Sequence, residues 1–226
     1  MLTTIEKLIA ARNLKPKKKE GFLKVISAFS FLGIMLGVAI LIIVMSVMNG
    51  FRTELTDKIL GFNSHISIKP YAKNITKEFY SNLEAKYKNT KIIMTYEGEA
   101  VVMKSNSVKG ILIRGLETRK VGEIDFFKKN IIDGNLSNFV NDSIIIGKYL
   151  AIELGVVVGD TINIMSSSKV TTPMGLILKQ SPYKIAAVFS SGLYEFDRNV
   201  TFLNLEDSLS FFDKTNENVT IDIFLK

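Results

Sequence analysis

Twenty-four consecutive residues, 25–48, carry no ionisable side chain. As a helix with a rise of about 1.5 Å per residue, this run would be roughly 36 Å long, against a hydrocarbon core of about 30 Å. A secretory signal has a shorter apolar core and a small-x-small cleavage site, whereas this run ends in Ser46-Val47-Met48-Asn49. The run therefore predicts an uncleaved transmembrane helix, assigned to residues 22–48, rather than a removable signal or a soluble core helix.

The positive charge of the chain lies mainly at its N-terminal tip. The formal net charge is +7, and residues 1–24 supply +5 of it through Arg12 and six lysines against two glutamates. Because short cytoplasmic segments carry the Lys/Arg excess, the tip is predicted to be cytoplasmic and the residues after Met48 periplasmic. A charge confined to one tip is not a surface that follows a phosphate backbone, so no nucleic-acid partner is predicted.

Residues 1–21 are predicted to form a cytoplasmic helix and a basic tip. Leu2, Ile5, Leu8 and Ile9 fall on one face of a helix over residues 2–14. Such a helix could lie on the inner membrane surface or dock on a partner protein, and the sequence leaves both readings open.

A helix is also predicted to continue the span into the periplasm, over residues 49–62. Phe51, Leu55 and Ile59 recur every four residues beyond Asn49-Gly50, and Gly61 could cap the end. Within the span, Gly33 and Gly37 form a small-xxx-small pair, which either packs against another transmembrane helix or reflects the general abundance of glycine in such helices.

The rest of the chain has the pattern of a small α+β region. Strands are predicted at 64–69, 91–104 and 108–115, helices at 75–88 and near 123–130, and a strand, helix, Gly159-Asp160 turn and strand over 142–166. The segments TINIMSSS and SPYKIAAVF of residues 161–190 are expected to pair. The intervening KVTTPMGLILKQ is too long for a tight hairpin and too apolar for a routine solvated loop, which predicts either a docking element or a loop folded back on its own domain.

Catalytic and metal-binding patterns are scarce. The chain has no Cys and one His, which excludes a disulfide framework and a Cys-type zinc site. No GxxxxGK[ST] phosphate loop occurs, His65 has no triad partner, and Glu97 and Glu99 fit a solvated strand edge. Ser190-Ser191-Gly192 lacks the GxSxG frame. We therefore predict a chain that is not an enzyme and has no cofactor or metal site.

Three segments resemble a known family. They are GIMLGVAILIIVMSVMNGFRTEL (33–55) with ILG (59–61), IIIGKYLAIELGVVVGD (144–160), and TPMG (172–175) with SGLYEFD (191–197). Together they resemble the N-terminal part of the permease subunit of lipoprotein-releasing (Lol) ABC transporters, within the wider MacB/FtsX-type permease family. The first segment is the most specific, whereas the second is shared by MacB-like periplasmic domains in general.

The resemblance implies a fold and a set of partners. The fold would be a membrane-proximal, porter-like domain from residues 63–105 and 200–226, with an inserted distal domain at 106–199 and a hook loop at 170–180. The machine would extract lipoproteins from the inner membrane and pass them to a periplasmic carrier chaperone. A cytoplasmic ATPase subunit would supply the energy, and a second permease copy or paralogue, the lipoprotein cargo and membrane lipid would be the other partners.

The resemblance also implies site residues. The hook that binds the carrier would consist of Thr172, Pro173, Met174, Gly175 and Leu176. The first span would line a cavity for the lipid chains of the cargo, with Met45, Met48 and Phe51 at its outer mouth.

The chain departs from the family pattern in two ways. Family hooks commonly have another proline soon after the glycine, whereas the next one here is Pro182. The family permease has four spans and one is predicted here, which implies an incomplete chain. The alternatives are an exporter or cell-division permease of the MacB/FtsX type and, from another class, a single-pass membrane-anchored sensor or scaffold.

Overall fold

The computed structural model describes residues 3–13, 21–70, 75–88, 90–104, 107–172, 175–215 and 218–225. The chain divides into two compact units, Met1–Thr56 and Asp57–Lys226.

The first unit is helical. Helix α1 spans Thr4–Asn13, where the predicted N-terminal helix lies, and it exposes Ile5, Leu8 and Ile9. Helix α2 spans Gly21–Phe62 without a break at Asn49-Gly50, so the predicted span and shoulder are one helix. Its segment Val25–Thr56 contains an 18-residue window with a mean hydropathy of 2.8, and among the described residues it is the one helical segment long and apolar enough to cross a membrane.

The second unit alternates short strands and helices. Its strands are β1 (Ile66–Ile68), β2 (Lys91–Lys104), β3 (Ser107–Leu116), β4 (Ile131–Gly134), β5 (Ser143–Gly147), β6 (Thr161–Thr172), β7 (Gly175–Phe189), β8 (Val200–Asn204) and β9 (Thr220–Phe224). Its helices are α3 (Lys77–Lys86), α4 (Thr118–Val121), α5 (Asp125–Asn130), α6 (Lys148–Leu154), α7 (Tyr194–Asn199) and α8 (Leu205–Phe211), with a 3₁₀ turn at Leu136–Asn138.

The described strands form one mixed sheet. Its order is β1-β9-β2-β3-β8-β5-β7-β4, and β6 lies off this path, paired with both β2 and β7. The pairs β3–β8 and β5–β7 are parallel, whereas the pairs β2–β3 and β6–β7 are antiparallel. A mixed sheet with interspersed helices agrees with the α+β class predicted from the sequence.

The core lies on both faces of this sheet. Strand β5 is buried along its whole length, and its side chains alternate between the faces. Ile144 and Ile146 pack in a cluster with helix α6, whereas Ile145 packs on the other face with aromatic residues that include Phe127 and Phe202. Each such side chain contributes roughly 1.5–3 kcal/mol through burial, so this unit has a substantial core of its own.

The sequence analysis located the central elements better than the C-terminal ones. It predicted β2, β3, α3, β5 and α6 close to their observed bounds, but it did not locate β4, α7, β8, α8 or β9. Strands from both predicted periplasmic domains lie in the same sheet, and the boundary between these domains stays a prediction.

Candidate docking hairpin and membrane span

Strands β6 and β7 form a long antiparallel hairpin. Its register runs from Thr161 opposite Lys184 to Thr172 opposite Gly175. Strand β6 pairs with β2 no further than Ser166, and β7 pairs with β5 from Lys184 onward. In the described registers, the arms 169–172 and 175–178 therefore pair with each other only. We call these arms the docking hairpin.

The expectation that 169–180 is too long for a tight hairpin is wrong. The strands continue through most of this segment, and two residues, 173 and 174, separate their ends. The physical reason is that Val170, Thr171 and Thr172 on one arm are β-branched, which favours extended backbone over loop conformations. The segment is a hairpin arm pair rather than an irregular loop.

The predicted hook residues lie at the end of this hairpin. Thr172 faces Gly175, which is exposed and has a φ of +119°, and Leu176 pairs with Thr171. A positive φ suits glycine because it has no Cβ. Pro173 and Met174 lie outside the described residues.

Two apolar residues that the sequence analysis did not select follow the hook. Ile177 and Leu178 are 54% and 40% exposed on the arm after Gly175. Both lie among the apolar residues of KVTTPMGLILKQ, the sequence pattern that could have identified them as exposed.

The base of the docking hairpin is fastened to helix α8. The register shifts between Met165 and Lys169, where three residues of β6 face Lys179 alone. The Lys179 ammonium donates to the Ser210 carbonyl oxygen at 2.6 Å and to Asp213 Oδ1 at 2.9 Å. The irregular part of the hairpin therefore has a polar link to the helical layer.

A charged cluster joins three other elements. Arg198 of α7 donates to both carboxylate oxygens of Glu153 of α6, at 3.0 and 3.2 Å, and Lys109 of β3 donates to the same carboxylate. The hydrogen bonds from Arg198 and Lys109 lower the pKa of Glu153 from its ordinary 4.5 to about 2. The carboxylate is therefore anionic over the physiological pH range.

The remaining polar residues named in the sequence analysis make structural contacts. His65 Nδ1 accepts a hydrogen bond from the Leu225 backbone N–H at 3.2 Å, and Glu97 is paired with Arg114. Glu97 and Glu99 are exposed, as expected of solvated positions. Strand β2 lies inside the sheet as a whole, but in the described registers its residues 96–99 pair with β3 alone, because the pairing with β9 ends at Thr95 and the pairing with β6 begins at Ala100, so the strand has an open edge there.

The two serines after β7 are bound to a buried carboxylate. Ser190 and Ser191 donate their hydroxyl hydrogens to Asp197, at 3.1 and 2.5 Å. Within the described ranges, no group of three or more His, Cys, Asp or Glu residues is placed to hold a metal ion.

The residues selected in the predicted span lie on α2. Met45, Met48 and Phe51 are each 58–61% exposed. Gly33 and Gly37 are also exposed, and a Cβ built on either would meet nothing within 4 Å. The first unit therefore leaves these side chains and the glycine surface accessible.

A family comparison covers nearly all of the chain. The model of the MacB-like periplasmic core domain matches residues 27–225. The chain belongs to this family. The resemblance and the fold class predicted from the sequence, an α+β periplasmic region after an N-terminal apolar helix, are thereby confirmed.

Relatives of the MacB-like chain include lipoprotein-releasing proteins. It is 28% identical over 218 residues to the lipoprotein-releasing system transmembrane protein LolC of Xylella fastidiosa, covering 92% of this chain and 51% of that protein. It is 30% identical over 223 residues to LolC of Buchnera aphidicola, covering 97% of this chain and 55% of that one. The chain thus spans about half the length of the curated relatives it matches.

A solved structure is similar in outline. The periplasmic region of MacB from Actinobacillus actinomycetemcomitans is 10% identical, with a TM-score of 0.49 over 74% of this chain and 76% of that one.

Proposed function

We propose that this chain is part of the permease of an ABC transporter that extracts lipoproteins from the inner membrane and passes them to a periplasmic carrier chaperone. The observation that carries the proposal is the docking hairpin, which presents Ile177 and Leu178 to solvent in a chain similar to LolC over 92% of its length. Exposed apolar side chains on a projecting segment are typical of docking surfaces.

The docking hairpin would bind the carrier. Thr172, Pro173, Met174, Gly175 and Leu176 would form the hook, and Ile177 and Leu178 would extend its apolar surface. The hydrogen bonds of Lys179 to the end of α8 support this role because they fix the hairpin base, which lowers the entropy lost on docking.

Helix α2 would hold the chain in the inner membrane, with the basic tip in the cytoplasm. Met45, Met48 and Phe51 would contact the lipid chains of the cargo, since thioether side chains adapt to irregular apolar ligands. Gly33 and Gly37 would let a span of a second permease copy or paralogue approach closely. ATP hydrolysis would belong to a separate cytoplasmic subunit.

A shortened hairpin tests the carrier-binding role. Replacing residues 170–177 with Asn-Gly keeps Lys169 opposite Leu178 and closes the strands with a favourable two-residue turn. We expect capture of a purified periplasmic lipoprotein carrier by the full chain to fall about tenfold or more, as is usual when a central apolar anchor is removed.

The matched control is Ile152→Ser, which removes an exposed apolar side chain from α6. Its carrier capture should equal that of the unmodified chain. Undiminished capture by the shortened hairpin would refute the carrier-binding role and favour an exporter or cell-division relative.

A further inference from the structure

A groove lies beside the docking hairpin, on the sheet face built by β3, β2 and β6. Its volume is about 590 Å³. The described residues that line it are Glu99, Ala100, Val101, Gly110, Ile111, Leu112, Met165, Ser166 and Leu178. We call it the Gly110 groove.

The groove owes its shape to a missing side chain. Val101 lies opposite both Gly110 of β3 and Met165 of β6, so these three residues share one face of the sheet. Strand alternation would place a side chain at position 110, between Val108 and Leu112. A Cβ built on Gly110 would meet nothing within 4 Å, so glycine leaves open space there.

The lining selects an apolar ligand. Glu99 is the only charged residue among the described residues that line the groove. A phosphate or another anion would therefore find no cation there and would be repelled by that carboxylate. Met165 supplies a flexible thioether, and Leu178, which is 40% exposed, connects the groove with the docking hairpin.

The volume favours a long hydrocarbon chain over one protein side chain. A cavity of about 150 Å³ is enough to hold a benzene molecule, and ligand pockets run from about 300 to 1,000 Å³. At about 590 Å³, the groove would stay mostly unfilled by a single leucine or phenylalanine from a partner. A hydrocarbon chain of several methylene groups can fill more of this space and contact more of the apolar lining.

We propose that the Gly110 groove binds one acyl chain of the lipoprotein cargo during its transfer to the carrier. This assignment rests on the proposed function, which supplies the lipoprotein as the source of the chain. The groove would hold the chain next to the hairpin on which the carrier docks.

Gly110→Leu tests the assignment by filling the groove. A side chain at position 110 has open space around it and the backbone φ of Gly110 is not positive, so the variant should fold. The probe is a synthetic lipopeptide with a triacylated N-terminal cysteine and a photoreactive diazirine in one acyl chain, added to the full chain in amphipol. We expect labelling of β2, β3 and β6 to fall about tenfold, as if roughly two methylene groups lost contact.

Two further variants make the experiment decisive. Val108→Leu enlarges a side chain that is 67% exposed on the same strand face but does not line the groove, so labelling should be unchanged. Met165→Asp places a charge in the groove and should also reduce labelling. This second variant tests the groove independently, in case Gly110→Leu alters the structure of β3. Equal labelling of the unmodified chain, Gly110→Leu and Met165→Asp would overturn the assignment.

Other occupants would be recognised by parallel probes. The assignment would also be overturned if a diazirine phospholipid labels the groove when the lipopeptide does not. The same holds if a photoreactive residue at position 112 captures the carrier instead of the lipopeptide. Carrier capture is measured in the same samples. If the unmodified chain captures the carrier but is not labelled by the lipopeptide, the groove assignment alone is overturned. If the unmodified chain is labelled but does not capture the carrier, the proposed function alone is overturned.

Discussion

Glu153 shows how one residue makes the stability of the second unit depend on pH. Its pKa is about 2 in the fold and near its ordinary 4.5 in an unfolded chain, because Arg198 and Lys109 donate to the carboxylate. A lowered pKa contributes stability that is complete above about pH 4.5 and is lost as the pH falls toward 2. The pair is partly exposed, so solvent and salt reduce the effect.

We predict that Glu153→Gln lowers the unfolding temperature at pH 7 and that this difference narrows between pH 4.5 and 2. Tyrosine fluorescence can follow unfolding, since the chain has 7 Tyr and no Trp. Added salt should shrink the difference at pH 7. A difference that stays constant down to pH 2 would show that the carboxylate charge is not its cause.

Gly147 is a position where even one methyl group does not fit. A Cβ there would stand too close to the backbone carbonyl of Asp197, at the junction of β5 and α7. Because backbone atoms cannot move aside as a flexible side chain can, the steric overlap should lower the free energy of unfolding by the full cost of overpacking.

We predict that Gly147→Ala destabilises the second unit by about 3 kcal/mol, at the upper end of usual overpacking effects. Gly110→Ala is the matched control, because its methyl group enters open space, and it should change stability by less than about 0.5 kcal/mol. Chemical denaturation of both variants gives the comparison. Equal stabilities would contradict the close approach of Asp197 to β5.

At the scale of elements, the sequence showed that residues 169–180 are unusual but did not show their form. The apolar residues of this segment favoured a docking element or a loop folded back on its own domain, and the family resemblance implied a hook at Thr172 to Leu176, which stays a prediction. The pairing of TINIMSSS with SPYKIAAVF was expected, but the continuation of both strands through residues 169–172 and 175–180 was missed, because the apolar segment between them was interpreted as a loop.

Elements formed by long-range pairing were the hardest to predict. Strand β8 is five buried residues, VTFLN, without alternation, and β9 is as short. Both enter the sheet beside strands more than eighty residues away, β8 next to β3 and β9 next to β2. Local periodicity carries no information about such partners, whereas β2 and β3 alternate clearly and adjoin in sequence.

The glycine pair of α2 gives a prediction at the same scale. Gly33→Leu with Gly37→Leu should weaken association between spans in a membrane, because bulky side chains keep helices apart. Cross-linking of the full chain in native membranes measures this association. Ile42→Leu, on the opposite side of the helix, is the control and should leave cross-linking unchanged. Unchanged cross-linking in the glycine variant would exclude a packing role for Gly33 and Gly37.

At the scale of the whole molecule, the apolar segment of α2 determines where the chain resides. We predict that the chain stays with the membrane after alkaline extraction and that a protease added to spheroplasts digests residues 57–226 but spares an N-terminal tag. Recovery of a soluble product that begins near Asn49 would contradict both retention and orientation.

Strand β7 is shared between the docking hairpin and the interior of the sheet. Its first half faces β6, and its second half is paired with β5 and β4. At about 3.3 Å per residue, its fifteen residues reach at most roughly 50 Å, and the pairing register shifts at Lys179 and at Ala186. Because one strand serves both regions, the direction in which the docking hairpin leaves the sheet depends on residues in the interior of the sheet, far from residues 175–178.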